Sequence, residues 1–120
     1  MATELKKEII KEGNKTDKPQ NGDTVTMEYT GWLFEEGEEK NRGKQFDSSV
    51  GRGDFETKIG VGRVIQGWDQ GVPTMTLGER AVLTIPGKMA YGDRGFPGLI
   101  PPNATLIFEV ELKGINNKRA

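Results

Sequence analysis

Cysteine and histidine are both absent from the 120 residues. Without cysteine there is no disulfide framework, no thiolate nucleophile and no thiolate zinc site. Without histidine, no reaction can use an imidazole as base, nucleophile or metal ligand. Long apolar runs are also missing. The stretch MATELKKEIIKEG interrupts its few hydrophobic residues with lysine and glutamate, so it reads as neither a secretion signal nor a membrane span. The expectation is a cytoplasmic protein with no membrane association. Nor does charge of one sign dominate: 17 basic and 18 acidic side chains leave a net charge of −1. That balance lacks the footprint of a nucleic-acid binder, and the basic ending NNKRA reads as a solvated tail.

Glycine, by contrast, is abundant. Its 17 residues are about twice the usual share, so much of the chain must be turns and tight backbone. The length suits one domain with one core. Residues 5–10 suit a short edge strand, and EGNKTDKPQNGD (residues 12–23) reads as an exposed loop. TVTMEYTGW alternates, with Val25, Met27 and Tyr29 on one face and Thr24, Thr26, Glu28 and Thr30 on the other, as in a half-buried antiparallel strand. Residues 33–45, charged and broken by glycine, read as a mobile excursion between strands. VGRGDF is a bend delivering Phe55, and its RGD tripeptide is short enough to arise by chance.

GVGRVIQGWDQGVP is rich in glycine but lacks the G-K-[ST] of a phosphate loop. It reads instead as a loop entering a short helix over residues 65–71, stopped by Gly71 and Pro73, with Trp68 and Val72 on one face. RAVLTI alternates with Ala81, Leu83 and Ile85 inward. TLIFEVELKGI places Leu106, Phe108, Val110 and Leu112 on one face and Ile107, Glu109 and Glu111 on the other. Four or five antiparallel strands and one helix make an α+β domain, with the helix covering one sheet face.

Carboxylates are the remaining chemical groups, yet Asp47, Asp69 and Asp93 sit in loops or at element ends, where Asp usually caps or turns. The aromatics say more. Tyr29, Phe46, Trp68 and Phe108 fall on inward faces or element ends, and Phe55, Tyr91 and Phe96 fall in bends or loops. Together they exceed what a small core needs, which points to an aromatic pocket covered by YGDRGFPGLIPP, residues 91–102. Phe96, Leu99 and Ile100 in that loop would either cover the core or form the rim of an apolar site. The second reading is preferred.

YTG at Tyr29, FDSS at Phe46, G-x-G-x-V-I-x-G-W-D from Gly60, LTIP, AYG at Ala90 and GFPGLIPPNATLIFEVEL from Gly95 occur together and in order. This set, spanning residues 24–115, closely resembles the small FKBP family of tacrolimus- and rapamycin-binding prolyl isomerases, its fungal members most of all. The resemblance implies a curved antiparallel sheet of about five strands wrapped around one short helix. It implies peptidyl-prolyl cis–trans isomerisation without metal or cofactor.

Carried over position by position, it makes Trp68 the floor on which a prolyl ring lies. Tyr29, Phe46 and Phe108 become the walls, with Val64 and Ile65 beside them and Phe55 at the outer rim. The Ile65 N–H and the Tyr91 hydroxyl would bond the ligand. Asp47, oriented by Arg52 and Tyr29, would face the twisting amide, and Phe96, Leu99 and Ile100 would form the flap. Asp47, Tyr91, Phe108 and Trp68 are the implied catalytic set.

Leu-Pro-like peptides, tacrolimus and rapamycin are the implied ligands, with calcineurin or the TOR kinase joining a drug-bound monomer. A binding module whose isomerase activity is incidental remains the alternative. Two departures stand out. Residues 33–45 are longer than in typical small members, and the bend over residues 50–55 is more compact, which loosens the placement of Arg52.

Overall fold

The computed structural model describes residues 4–120. Its strands are β1 (Lys6–Lys11), β2 (Thr24–Phe34), β3 (Arg42–Ser48), β4 (Phe55–Lys58), β5 (Arg80–Ile85), β6 (Leu106–Ile115) and β7 (Lys118–Arg119), and its one α-helix is α1 (Gln66–Gly71). All strand pairings are antiparallel, in the order β1-β5-β6-β2-β3, with β4 also pairing with β2 and β7 with β6. The two strands beyond the expected five are short ones of four and two residues.

Alternation becomes burial as the pattern requires. Val25 and Met27 of β2, Ala81, Leu83 and Ile85 of β5, and Leu106, Phe108, Val110 and Leu112 of β6 enter one core with Trp68, Val72, Ile59 and Met75. A six-residue helix has too few internal hydrogen bonds to stand alone. Burial of Trp68 and Val72 against the sheet holds it there. Gly67 lets the helix approach, since a Cβ at that position would lie 2.5 Å from Ile85. Pro73 follows in a 3-10 turn, Val72–Thr74, that ends the helical segment.

The outer face carries ions, as expected of Glu109 and Glu111. Arg80 reaches Glu109 at 2.6 Å and Glu111 at 2.8 Å, and Arg42 reaches Glu109 at 3.2 Å. Burial alone would raise the Glu109 carboxyl, but hydrogen bonds and charge from Arg80 and Arg42 hold it below the usual range. Ile107 lies on this outer face as expected, yet it is buried there, bordering a groove with Phe34, Asn41 and Arg42.

That groove also reflects a correction. The expected excursion over residues 33–45 is the closed end of a β-hairpin, because β2 runs on to Phe34 and β3 begins at Arg42. Only residues 35–41 turn. The Arg42 guanidinium lies 4.3 Å over the Trp32 ring, and the Phe34 amide donates to the Thr105 carbonyl. Charge in this segment therefore decorates a ladder and pins it to the sheet. Lys40 and Asn41 make the tight turn with positive φ values of 54° and 59°.

Candidate active site

Above α1 the sheet leaves a cavity of about 410 Å³. Its lining comes from six places: Tyr29 of β2; Phe46 and Asp47 of β3; Phe55 of β4; Gly62, Arg63, Val64, Ile65 and Trp68 from α1 and the loop before it; Tyr91 of the loop after β5; and Phe108 of β6. The rings meet edge to face, as their quadrupoles favour. Trp68 lies 4.9 Å from Tyr29 and 5.0 Å from Phe108, at 76° and 77°. Phe46 stands at 89° to Phe108, 5.5 Å away, and Phe55 is 5.8 Å from Trp68. The close approach of Phe46 and Phe108 needs Gly31 beneath them: a Cβ there would lie 2.7 Å from Phe108 and 2.8 Å from Phe46. Trp68 Nε1 is buried without a hydrogen-bond partner.

Polar groups are few and held. Oδ2 of Asp47 accepts the Tyr29 hydroxyl at 2.8 Å, while Oδ1 accepts the Ser48 amide at 2.8 Å and the Arg52 guanidinium at 3.2 Å. Burial, then the Asp47 carboxylate, pushes the Tyr29 phenol up to about 12. The same two causes raise Tyr91. Both phenols therefore stay protonated donors at neutral pH.

Ile65 caps α1. Its carbonyl accepts the Trp68 amide at 3.0 Å and the Asp69 amide at 3.2 Å, while its own N–H has no acceptor among the described residues. The loop before the helix is fastened by Asp69, whose two carboxylate oxygens accept the Gly60 and Gly62 amides at 2.8 and 2.9 Å.

The structure thus brings together Tyr29, Phe46, Asp47, Phe55, Val64, Ile65, Trp68, Tyr91 and Phe108 around one cavity. Arg52 is not part of the lining and reaches the site through Asp47. The flap differs most from expectation. Ile100 is 5% exposed and joins the core, whereas Phe96 and Leu99 are 51% and 37% exposed. Phe96 and Ile100 exchange backbone hydrogen bonds, each amide donating to the other's carbonyl at 2.8 Å. This tight closure directs Ile100 into the core, so the loop both covers the core and projects outward. Phe96 does not line the cavity; it packs edge-on to Tyr91, 6.0 Å away. Sequence reasoning missed Gly62 and Arg63, although their place beside Val64 and Ile65 in one short loop was a signal. It read Asp69 as a cap or turn residue, and no local pattern reveals which amides its carboxylate reaches.

A curved antiparallel sheet over one short helix, with this basin between them, defines an FKBP-like α+β fold. The chain matches the model for FKBP-type peptidyl-prolyl cis-trans isomerases over residues 15–113 and belongs to that family. It is 60% identical over 111 residues to FK506-binding protein 1 of Gibberella zeae, covering 92% of this chain and 97% of the relative. It is 59% identical over 115 residues to FK506-binding protein 1A of Aspergillus fumigatus, covering 95% and 96%. It is 56% identical over 117 residues to a peptidyl-prolyl cis-trans isomerase of Schizosaccharomyces pombe, covering 97% and 98%. The chain is a peptidyl-prolyl cis–trans isomerase acting on proline-containing peptides. Among the described residues no helix is long and apolar enough to cross a membrane.

Proposed function

We propose that the basin over Trp68 is where the peptidyl-prolyl bond rotates, and that it acts without covalent chemistry. Rotation about a peptide bond meets a barrier of about 18–20 kcal/mol because the planar amide is stabilised by charge-separated resonance. Twisting removes that resonance and shrinks the dipole. A dry aromatic site penalises the planar form more than the twisted one, and each ~1.4 kcal/mol of such difference gives about tenfold in rate.

In this reading the prolyl ring lies on Trp68 between Tyr29, Phe46 and Phe108. The free Ile65 N–H takes a substrate carbonyl, the Tyr91 hydroxyl donates a second bond, and Asp47 polarises the turning amide from the edge. The observation that carries the reading is the convergence of six aromatic rings, two of them protonated phenols, around one held carboxylate.

Exchange between cis and trans Leu-Pro in a short peptide, followed by NMR, tests it. Asp47→Val with Phe108→Tyr should slow exchange at least tenfold while the fold persists. Unchanged exchange in a folded double variant would remove the basin from the mechanism.

The same basin is proposed to bind tacrolimus and rapamycin. Phe96 and Leu99, exposed beside it, would then share with the drug a composite face for calcineurin or the TOR kinase. Such a protein works as a cytoplasmic monomer. Trp68 reports occupancy, provided the second tryptophan, Trp32, is replaced by Phe. Saturable one-to-one quenching by rapamycin is the expected result, and an unchanged spectrum would rule drug binding out.

A further inference from the structure

We propose that Arg63 selects among proline-containing substrates, favouring peptides with a carboxylate one or two residues from the proline. This deepens the reading of the basin as the substrate site and rests on it.

Two formally charged side chains line the cavity, Asp47 and Arg63. Asp47 is compensated: both its oxygens are occupied, and the Arg52 guanidinium lies against one of them at 3.2 Å. Arg63 is exposed and takes no part in any hydrogen bond or ion pair with the described residues. Its loop does not need it, because Asp69 holds the Gly60 and Gly62 amides. The basin therefore presents one uncompensated charge, positive, on a backbone whose position is set independently.

A guanidinium offers five donors in a planar fork that fits a carboxylate through two parallel bonds. In the proposed pose the apolar floor takes the prolyl ring, so charge selection falls on the flanking residues. Because Arg63 is exposed, the preference is modest, about two- to fivefold in kcat/KM for an acidic over a neutral flank. Lysine at the same place is disfavoured by a similar factor.

The test measures cis–trans exchange by NMR on matched peptides carrying Glu, Gln or Lys at each of the two positions before and after Leu-Pro. The expected result is Glu above Gln above Lys on at least one side of the proline. That order should flatten as salt is raised to about 0.5 M, where screening reaches down to a few ångströms. In Arg63→Gln the three peptides should converge, and in Arg63→Glu the order should invert.

Equal rates for all three charges in the unaltered protein overturn the proposal, as does a preference that persists in Arg63→Gln. The Gln peptide separates the two assignments. If it is not accelerated at all, the basin reading itself fails; if it is accelerated while charge has no effect, only the role of Arg63 fails.

Discussion

Tyr29 and Asp47 are joined by a hydroxyl-to-carboxylate bond of 2.8 Å that crosses from β2 to β3 at the edge of the basin. It fixes one oxygen of Asp47, leaving Arg52 and the Ser48 amide to fix the other. Tyr29→Phe keeps the ring contacts and removes only this bond. The expected outcome is a stability loss of about 1 kcal/mol with a several-fold fall in kcat/KM. Thermal unfolding and NMR exchange on one preparation would separate the two effects.

The same bond predicts an alkaline limb. An unfolded tyrosine deprotonates near 10, whereas folded Tyr29 holds its proton to about 12. A raised folded value means the stability it confers is whole below about 10 and is lost as pH rises through the folded value. Denaturant unfolding from pH 9 upward should show the loss, and Tyr29→Phe should remove that share of it. Turnover should stay level between about pH 6 and 9, since there is no histidine or cysteine and both basin phenols stay protonated in that range.

Glu109 gives the acid counterpart. Arg80 and Arg42 hold its carboxyl below the usual value, so its contribution is present above about 4.5 and fades as pH falls through the lower folded value. Arg80→Met should flatten the stability curve below pH ~5 while leaving Trp68 fluorescence unchanged, because the ion cluster lies on the opposite face of the sheet from the core. An unaltered acid limb in Arg80→Met would detach that limb from this pair.

Much of this architecture was legible from side-chain periodicity. Val25, Met27, Leu83, Phe108 and Val110 entered the core because alternation has one physical solution when a sheet has one buried face. The helix was legible from Trp68 and Val72 with Pro73 after them. What could not be read was local composition overruled by distant partners. The polar run after Trp32 looked like a loop, but Arg42 finds both a ring and Glu109 across the sheet. Ile100 looked like part of a rim, but its backbone exchange with Phe96 turns it inward. Both outcomes depend on residues far along the chain or on loop geometry, neither of which leaves a periodic trace.

Asp69 tests whether the loop must be held for the site to work. Asp69→Ala removes two charge-assisted bonds, at a cost of about 1–3 kcal/mol, and frees residues 60–64. The rate should fall by roughly tenfold through misplacement of Val64 and Ile65. Asp69→Asn, which can still accept one bond, should recover part of it. A drop in stability with no drop in rate would mean the loop is positioned by other contacts.

Gly31→Ala probes the aromatic wall. A methyl group at 2.7–2.8 Å from Phe108 and Phe46 must displace one of them. Overpacking of this kind costs about 1–3 kcal/mol. Near-ultraviolet circular dichroism should change with it, and substrate affinity should weaken more than the stability loss alone explains.

The pairing of β2 with β6 sets Val25 against Ile115 and Gly31 against Phe108. The two walls of the basin are therefore translated far apart in time, and the catalyst does not exist until β6 has emerged and crossed back to β2. Sheets closed by such distant contacts fold slowly. Throughout that interval the chain's six prolines gain nothing from its own site: an enzyme for proline isomerisation cannot act on its own proline bonds before it has folded.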